Sequence, residues 1–159
     1  MVLQEIKKRM ESQSILFSED QVCARSTVIG YDRKFKWRWF ATQLNTFLIA
    51  IDFGNDPVTV PAMNGALADS FAYAKRNYNG WPRGLQSGVG VITILLSSNI
   101  DERVIEYCQA LKSGKKWAGF AVPVVIDSST GEVYCFKRNP IWGRIYYPYF
   151  KELIARATQ

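Results

Sequence analysis

TFLIAIDF at residues 46–53 and VGVITILL at residues 89–96 decide the fold of this chain. Each run is apolar almost throughout, which is typical of a strand that is covered on both faces of a sheet. A helical pattern over about residues 62–78 separates them and permits a crossover connection of the parallel type. The two runs are therefore predicted to be neighbouring central strands of one sheet.

Further elements surround this central pair. Apolar residues at helical spacing predict three more helices, over about residues 2–12, 100–112 and 148–157. Alternating or apolar segments predict five more strands, over about residues 14–18, 21–29, 34–40, 120–126 and 132–136. Between the second and third of these, Gly30-Tyr31-Asp32-Arg33 has the composition of a turn.

The order of these elements is α-β-β-β-β-α-β-α-β-β-α. Such a mixed order predicts an α+β fold, or an α/β fold with a mixed sheet. We expect one globular domain over residues 1–159. Its central mixed sheet should have roughly five to seven strands, flanked by about four helices.

The composition excludes several classes of chemistry. The chain has no histidine, so catalysis by an imidazole and metal sites with a histidine ligand are excluded. The sequence has no nicotinamide, flavin or haem signature, and we expect no cofactor. These observations do not decide whether the protein is an enzyme.

Positive charge is unevenly distributed along the chain. The net charge is +6, and thirteen of the 20 lysines and arginines lie in four segments that contain no acid. These segments are residues 33–38, 75–83, 112–116 and 137–144. A positive field attracts polyanions, so the pattern indicates an anionic ligand or a nucleic acid as partner; the alternative is four ordinary solvated surfaces.

Residues 34–40 alternate strictly between basic and aromatic side chains. One face carries Lys34, Lys36 and Arg38, a candidate surface for a nucleic-acid backbone. The other face carries Phe35, Trp37 and Trp39, which we expect to lie in the core. On this interpretation the strand offers cations to a partner, but no aromatic platform for stacking bases.

A second candidate site is the connection over residues 81–88. Its glycines follow a helix and lead into a strand, the reverse of the known phosphate-binding loops, which favours a plain flexible connection. It is nevertheless rich in polar groups, and binding residues concentrate in loops on rigid scaffolds. The residues predicted to bind a small anion are Arg83, Gly84, Gln86, Ser87 and Gly88.

Carboxylates give a third candidate. A helix, three strands, a helix and a strand over about residues 2–97 resemble the core order of the restriction-endonuclease-like nucleases. That resemblance implies a metal site made by an early acid and a later acid–x–Lys motif at the end of the third strand. Asp32 and Asp52 match the two acids and would hold a divalent metal, but Gly54 stands where the family has lysine. The alternative for Asp52 is a carboxylate that caps a turn.

Cysteines and aromatic residues bear on location and partners. The three cysteines are widely spaced, which favours free thiols in a reducing compartment, and no signal peptide or membrane span is predicted. We therefore expect a soluble cytoplasmic protein that does not contact a membrane. Trp81, Trp142 and the run Tyr146–Tyr149 are candidates for an interface, which predicts a homo-oligomer, although such residues also fill cores.

Three hypotheses for function follow from these observations. The favoured one is a non-catalytic binding or interaction domain with a basic surface, as a homo-oligomer. One alternative is a metal-dependent nuclease-like protein or an inactive relative. The other is an enzyme that acts on a small anionic ligand at the Arg83 loop.

Overall fold

The computed structural model describes residues 1–39, 41–80, 87–111, 115–116, 119–141 and 143–159, with no description of the side chains of Arg38, Lys115 and Lys116. The helices of this part of the chain are α1 (Leu3–Ser12), α2 (Val60–Asn77), α3 (Glu102–Ala110) and α4 (Tyr147–Thr158). The strands are β1 (Leu16–Val22), β2 (Arg25–Lys36), β3 (Thr42–Gly54), β4 (Ser87–Ser97), β5 (Lys115–Lys116), β6 (Gly119–Asp127) and β7 (Val133–Tyr134).

These strands form one mixed sheet in the order β1-β2-β3-β4-β6-β5, and β7 pairs with β6. The first three strands pair antiparallel, whereas β3, β4 and β6 pair parallel through the helices that connect them. Phe47 pairs with Val91 and Ile51 pairs with Leu95, so the two apolar runs are adjacent as predicted. The predicted α+β class, a mixed sheet flanked by four helices in the described chain, is confirmed.

The alternation of side chains along β3 and β4 supplies both faces of the core. Leu48 and Ile92 pack in one apolar cluster with α1 and α4, whereas Ile49 and Val91 pack in the other with α2 and α3. A strand with period two and apolar residues at every position must be covered on both faces. The helices therefore form two layers, one on each side of the sheet.

The start of the sheet differs from the prediction. Gly30-Tyr31-Asp32-Arg33 is not a turn but the middle of β2, where Gly30 pairs with Leu48. A Cβ at Gly30 would lie 3.0 Å from the Met10 sulfur, so the glycine allows α1 to approach the strand closely. The order therefore has three strands before α2 instead of four, because residues 25–36 form one long strand.

The predicted strand 34–40 also ends earlier than expected. Its residues 34–36 complete β2, and a 3₁₀ turn follows over Trp37–Trp39. The tight turn between β1 and β2 lies at Cys23 and Ala24, both with a φ of 56°. Among the helices of the described residues, none has the length and hydrophobicity needed to cross a bilayer.

Candidate functional site

The topology brings basic segments together at one end of the sheet. The amino-terminal ends of β3, β4 and β6 lie side by side there, next to the carboxyl-terminal end of β2. Helix α2 also ends there, and β5 pairs with the start of β6. We call this region the basic end and assign to it the described cations Arg33, Lys34, Lys36, Lys75 and Arg144. Arg76, in the same last turn of α2, instead lines a pocket with Gln21, Val22, Cys23 and Asp69.

Contacts of the residues themselves, or of a chain neighbour, place Arg33, Lys75 and Arg144 at the basic end. Arg33 donates a hydrogen bond of 3.3 Å to the carbonyl of Asn79, just beyond α2. The ammonium of Lys75 lies 5.5 Å from the ring of Phe71, which packs beside Gly119 at the start of β6. Arg144 follows Gly143, which packs against the ring of Phe120. Strand β2, helix α2 and the loop before α4 thus supply the described cations, with Arg33 and Lys75 on the α2 side of the sheet and Lys36 and Arg144 on the α4 side.

The cations of the basic end have no carboxylate partner among the described residues. Lys34 and Arg144 are exposed, and Lys36 is half-buried. The nearest acid on the same strand, Asp32, accepts a hydrogen bond of 2.6 Å from the hydroxyl of Tyr149. Unpaired surface cations keep their full charge available to an anionic partner.

The aromatic side chains beside these cations are not all buried. Trp39 is 1% exposed and lies in the core, but Trp37 is 80% exposed and Phe35 is 39% exposed. The rings of Phe35 and Trp37 meet edge to face with centroids 5.3 Å apart. The prediction that all three aromatics face the core is therefore wrong, because β2 ends and turns before a helix layer covers them.

An apolar pocket lies beside the buried Trp39. It is lined by Trp39, Ile145, Pro148 and Tyr149. The Trp39 indole nitrogen donates a hydrogen bond of 3.1 Å to the Ile145 carbonyl, which fixes one wall. The Lys36 ammonium lies 4.9 Å from the Trp39 ring centroid and 5.8 Å from that of Tyr149, so a cation stands at the pocket. Burial raises the pKa of the Tyr149 phenol, which keeps its proton on the hydrogen bond to Asp32.

The predicted anion loop divides into two parts. Arg83, Gly84 and Gln86 lie outside the described residues. Ser87 and Gly88 are buried strand residues of β4, so the prediction that they belong to a loop is wrong. Arg38 of the predicted nucleic-acid surface lies in the 3₁₀ turn, and its side chain is outside the description.

Ser87 belongs to a polar cluster that the sequence does not predict. The buried amide of Asn45 accepts a hydrogen bond of 2.6 Å from the Tyr31 hydroxyl and donates one of 3.4 Å to Ser87. Ser87 also shares a hydrogen bond with the hydroxyl of Tyr78. The cluster ties the end of α2 to the sheet beneath the basic end, and its groups are occupied by one another. Its only sequence signal is Asn45 next to an apolar strand.

The two carboxylates of the nuclease resemblance do not meet. Asp32 pairs with Thr46, six residues before Asp52 on β3, which places the two acids about 20 Å apart at strand spacing. Asp52 accepts a hydrogen bond of 2.8 Å from the amide of Gly54, the turn-capping role that was its alternative. No group of three metal-ligating side chains occurs among the described residues. Asp32 and Asp52 therefore cannot share a metal ion.

The thiols are also accounted for. Burial raises the pKa of Cys108 to about 12, and burial together with a hydrogen bond to Asp69 raises that of Cys23 to about 12. Thiols of this kind are protonated at neutral pH and are weak nucleophiles.

Comparison with models of known protein families, with curated proteins and with solved structures found no match to this chain.

Proposed function

We propose that this protein is a nucleic-acid-binding domain that holds a phosphate backbone on its basic end. The observation that carries the proposal is the convergence of Arg33, Lys34, Lys36, Lys75 and Arg144 at one end of the sheet without a carboxylate partner among the described residues. Cations that bind phosphates release condensed counterions, which drives the association of proteins with nucleic acids.

The spread of the cations favours a polymer over a small anion. They are distributed from β2 to the start of β6, which are three strand spacings apart in the sheet order. Neighbouring strands lie about 4.8 Å apart, so the cations cover about 14 Å across the sheet. Successive phosphates of one chain can contact such a surface together, whereas one small anion contacts a part of it.

The proposal is for binding without catalysis. The chain contains no histidine, and the pKa values of Cys23 and Cys108 are raised to about 12. Both observations remove common sources of a general base or nucleophile near neutral pH. The three free cysteines also support a cytoplasmic location as part of the proposal. The homo-oligomer stays a prediction, which sedimentation equilibrium tests.

The test is the salt dependence of binding to a labelled single strand of about 12 nucleotides, followed by fluorescence anisotropy. Five phosphate contacts predict that log K falls with log salt at a slope of about −3.5. Replacing Lys34 and Lys36 together by alanine should make this slope less steep by about 1.4.

A matched control pair lies away from the basic end. Lys8→Ala with Arg103→Ala also removes two positive charges, one on α1 and one at the start of α3. This pair should leave the slope unchanged within error. Binding that does not depend on salt, or equal losses for the two pairs, would overturn the proposal.

A further inference from the structure

We infer that the nucleic acid is single-stranded and that one of its bases stacks on Trp37. The inference rests on the proposed function and names the class of partner for the same surface. Its basis is the exposed ring of Trp37, directly after the strand end that carries Arg33, Lys34 and Lys36.

The exposure of Trp37 is the first step. An indole that is 80% exposed gives up most of the free energy that burial would supply, and a large aromatic residue is informative when it lies outside the core. Trp39, two residues later, is 1% exposed, so a tryptophan of the same turn is buried in the core whereas Trp37 is not. The ring of Trp37 touches that of Phe35 but leaves most of its surface open to a flat partner.

The neighbouring charges identify that partner. Arg33 lies on the same face of β2 as Phe35, whose ring Trp37 touches, whereas Lys34 and Lys36 lie on the opposite face. Cations on both faces of this strand end therefore stand close in the chain to the exposed indole. Proteins bind single strands by combining cations that contact the backbone with exposed rings on which bases stack. A protein partner of acidic chemistry would need the cations but would not need an open indole.

The pocket beside Lys36 offers a place for a second base. Its walls are Trp39, Ile145, Pro148 and Tyr149, and the Lys36 ammonium lies 4.9 Å from the Trp39 ring. A strand with a phosphate at Lys36 can therefore direct one of its bases toward this pocket. In a duplex the bases are stacked inside the helix and cannot reach either surface, so the duplex contacts the cations alone.

The experiment compares three polyanions of equal length: a single strand, an abasic single strand and a duplex. An abasic strand keeps the phosphates but has no bases. The wild-type protein should bind the single strand more tightly than the abasic strand. Trp37→Ala should weaken single-strand binding by roughly five- to a hundred-fold, the effect expected for one stacked base, and leave abasic binding unchanged.

Two further variants control for structure. Trp37→Phe keeps a ring and should retain most of the single-strand affinity, whereas Val2→Ala shortens an exposed apolar side chain elsewhere and should have no effect. Thermal melting checks that each variant is folded.

The outcomes separate the inference from the proposed function. Equal affinity for the single and abasic strands overturns the stacking inference, and so does an equal loss of affinity for both in Trp37→Ala. In either case, salt-dependent binding to the single strand, the abasic strand and the duplex still upholds the proposed function. Absence of salt-dependent binding to any of the three overturns both.

Discussion

The two ends of the sheet use their charged side chains in opposite ways. At the carboxyl-terminal ends of β3, β4 and β6, the acids Asp52, Asp101 and Asp127 each accept a hydrogen bond from a nearby backbone amide. Asp56 forms an ion pair of 2.7 Å with Arg25 at the same end. At the basic end, the described cations have no carboxylate partner. One end uses charge to stabilise turns, and the other leaves it available.

This difference runs against a common rule. In open sheets with parallel strands, ligands usually bind beyond the carboxyl ends of the strands. Here the side chains at that end are occupied with closing turns: Ser97 donates a hydrogen bond of 2.7 Å to the Asp56 carbonyl, and Ser98 donates one of 2.7 Å to Asn55. On the proposed function, the partner would bind at the opposite end of the sheet, where the described cations lack a carboxylate partner.

The largest expected effect is a loss of stability in Trp39→Ala, compared with Trp37→Ala in the same turn. Trp39→Ala should reduce the free energy of unfolding by about 3–5 kcal/mol, since it leaves a cavity in the core. Its indole also donates a hydrogen bond to the Ile145 carbonyl, which would lose its partner. Trp37→Ala should change stability by no more than about 0.5 kcal/mol, as for an exposed site. Urea unfolding measures both.

A similar loss of stability in the two variants would contradict this contrast. It would mean that Trp37 is part of the packed structure, and the basic end would then have no free aromatic surface. Binding by Trp37→Ala is interpretable only if the contrast holds.

The next effect distinguishes structural from available charge. Asp101 caps α3 by accepting a hydrogen bond of 2.9 Å from the amide of Arg103. Asp101→Ala should therefore cost about 1 kcal/mol of unfolding free energy, and Asp101→Asn should recover most of it. Neither change should weaken binding to a single strand.

Lys34→Ala gives the reciprocal result. Stability should change by less than about 0.5 kcal/mol, because Lys34 is exposed and has no carboxylate partner in the described chain. The slope of log K against log salt should become less steep by about 0.7. If Asp101→Ala weakened binding as much as Lys34→Ala, the two ends would not differ in function.

The pH dependence of the two ends should also differ. Hydrogen bonds from the backbone amides of Ser129 and Thr130 lower the pKa of Asp127 below its ordinary 3.8. A depressed folded-state pKa gives stability that is present above the ordinary value and is lost as the pH falls through the folded-state value. Urea unfolding between pH 5 and pH 2 should show a steeper loss for the wild type than for Asp127→Asn.

Binding at the basic end should instead be constant between about pH 6 and 8, since histidine is the side chain that ordinarily titrates there. The chain has none, and the pKa values of Cys23 and Cys108, at about 12, lie above this interval. Parallel unfolding curves for the wild type and Asp127→Asn, or affinity that changes across neutral pH, would contradict this prediction.

The sequence was sufficient for the centre of the sheet and insufficient for its margins. The runs at 46–53 and 89–96 are predictable because burial on both faces requires apolar residues at every position. Gly30–Arg33 was not, because its turn-like composition is overridden by pairing with β3 and by the close approach of Met10 to Gly30. Local composition cannot report a contact made by a distant helix.

The sequence predicts the cations of the proposed site, but it does not predict that the aromatic side chains beside them are exposed. The alternation of side chains along the strand correctly places Lys34 and Lys36 on one face and Phe35 on the other. It cannot indicate that no helix layer covers the end of β2. The convergence of the basic segments follows from topology, since β2 ends, α2 ends and β6 begins at the same end of the sheet. That convergence requires the strand order, which the alternation alone does not give.

The smallest expected effect concerns the pocket next to Lys36. Ile145 is 41% exposed, and its carbonyl, not its side chain, accepts the hydrogen bond from Trp39. Ile145→Ala should therefore leave stability almost unchanged and weaken single-strand binding by roughly two- to three-fold, less than the loss of a fully stacked base. Anisotropy titrations at one salt concentration measure this change, and the abasic strand serves as the control. An unchanged affinity would restrict base contact to Trp37, whereas an equal loss for the abasic strand would assign Ile145 to the shape of the phosphate surface.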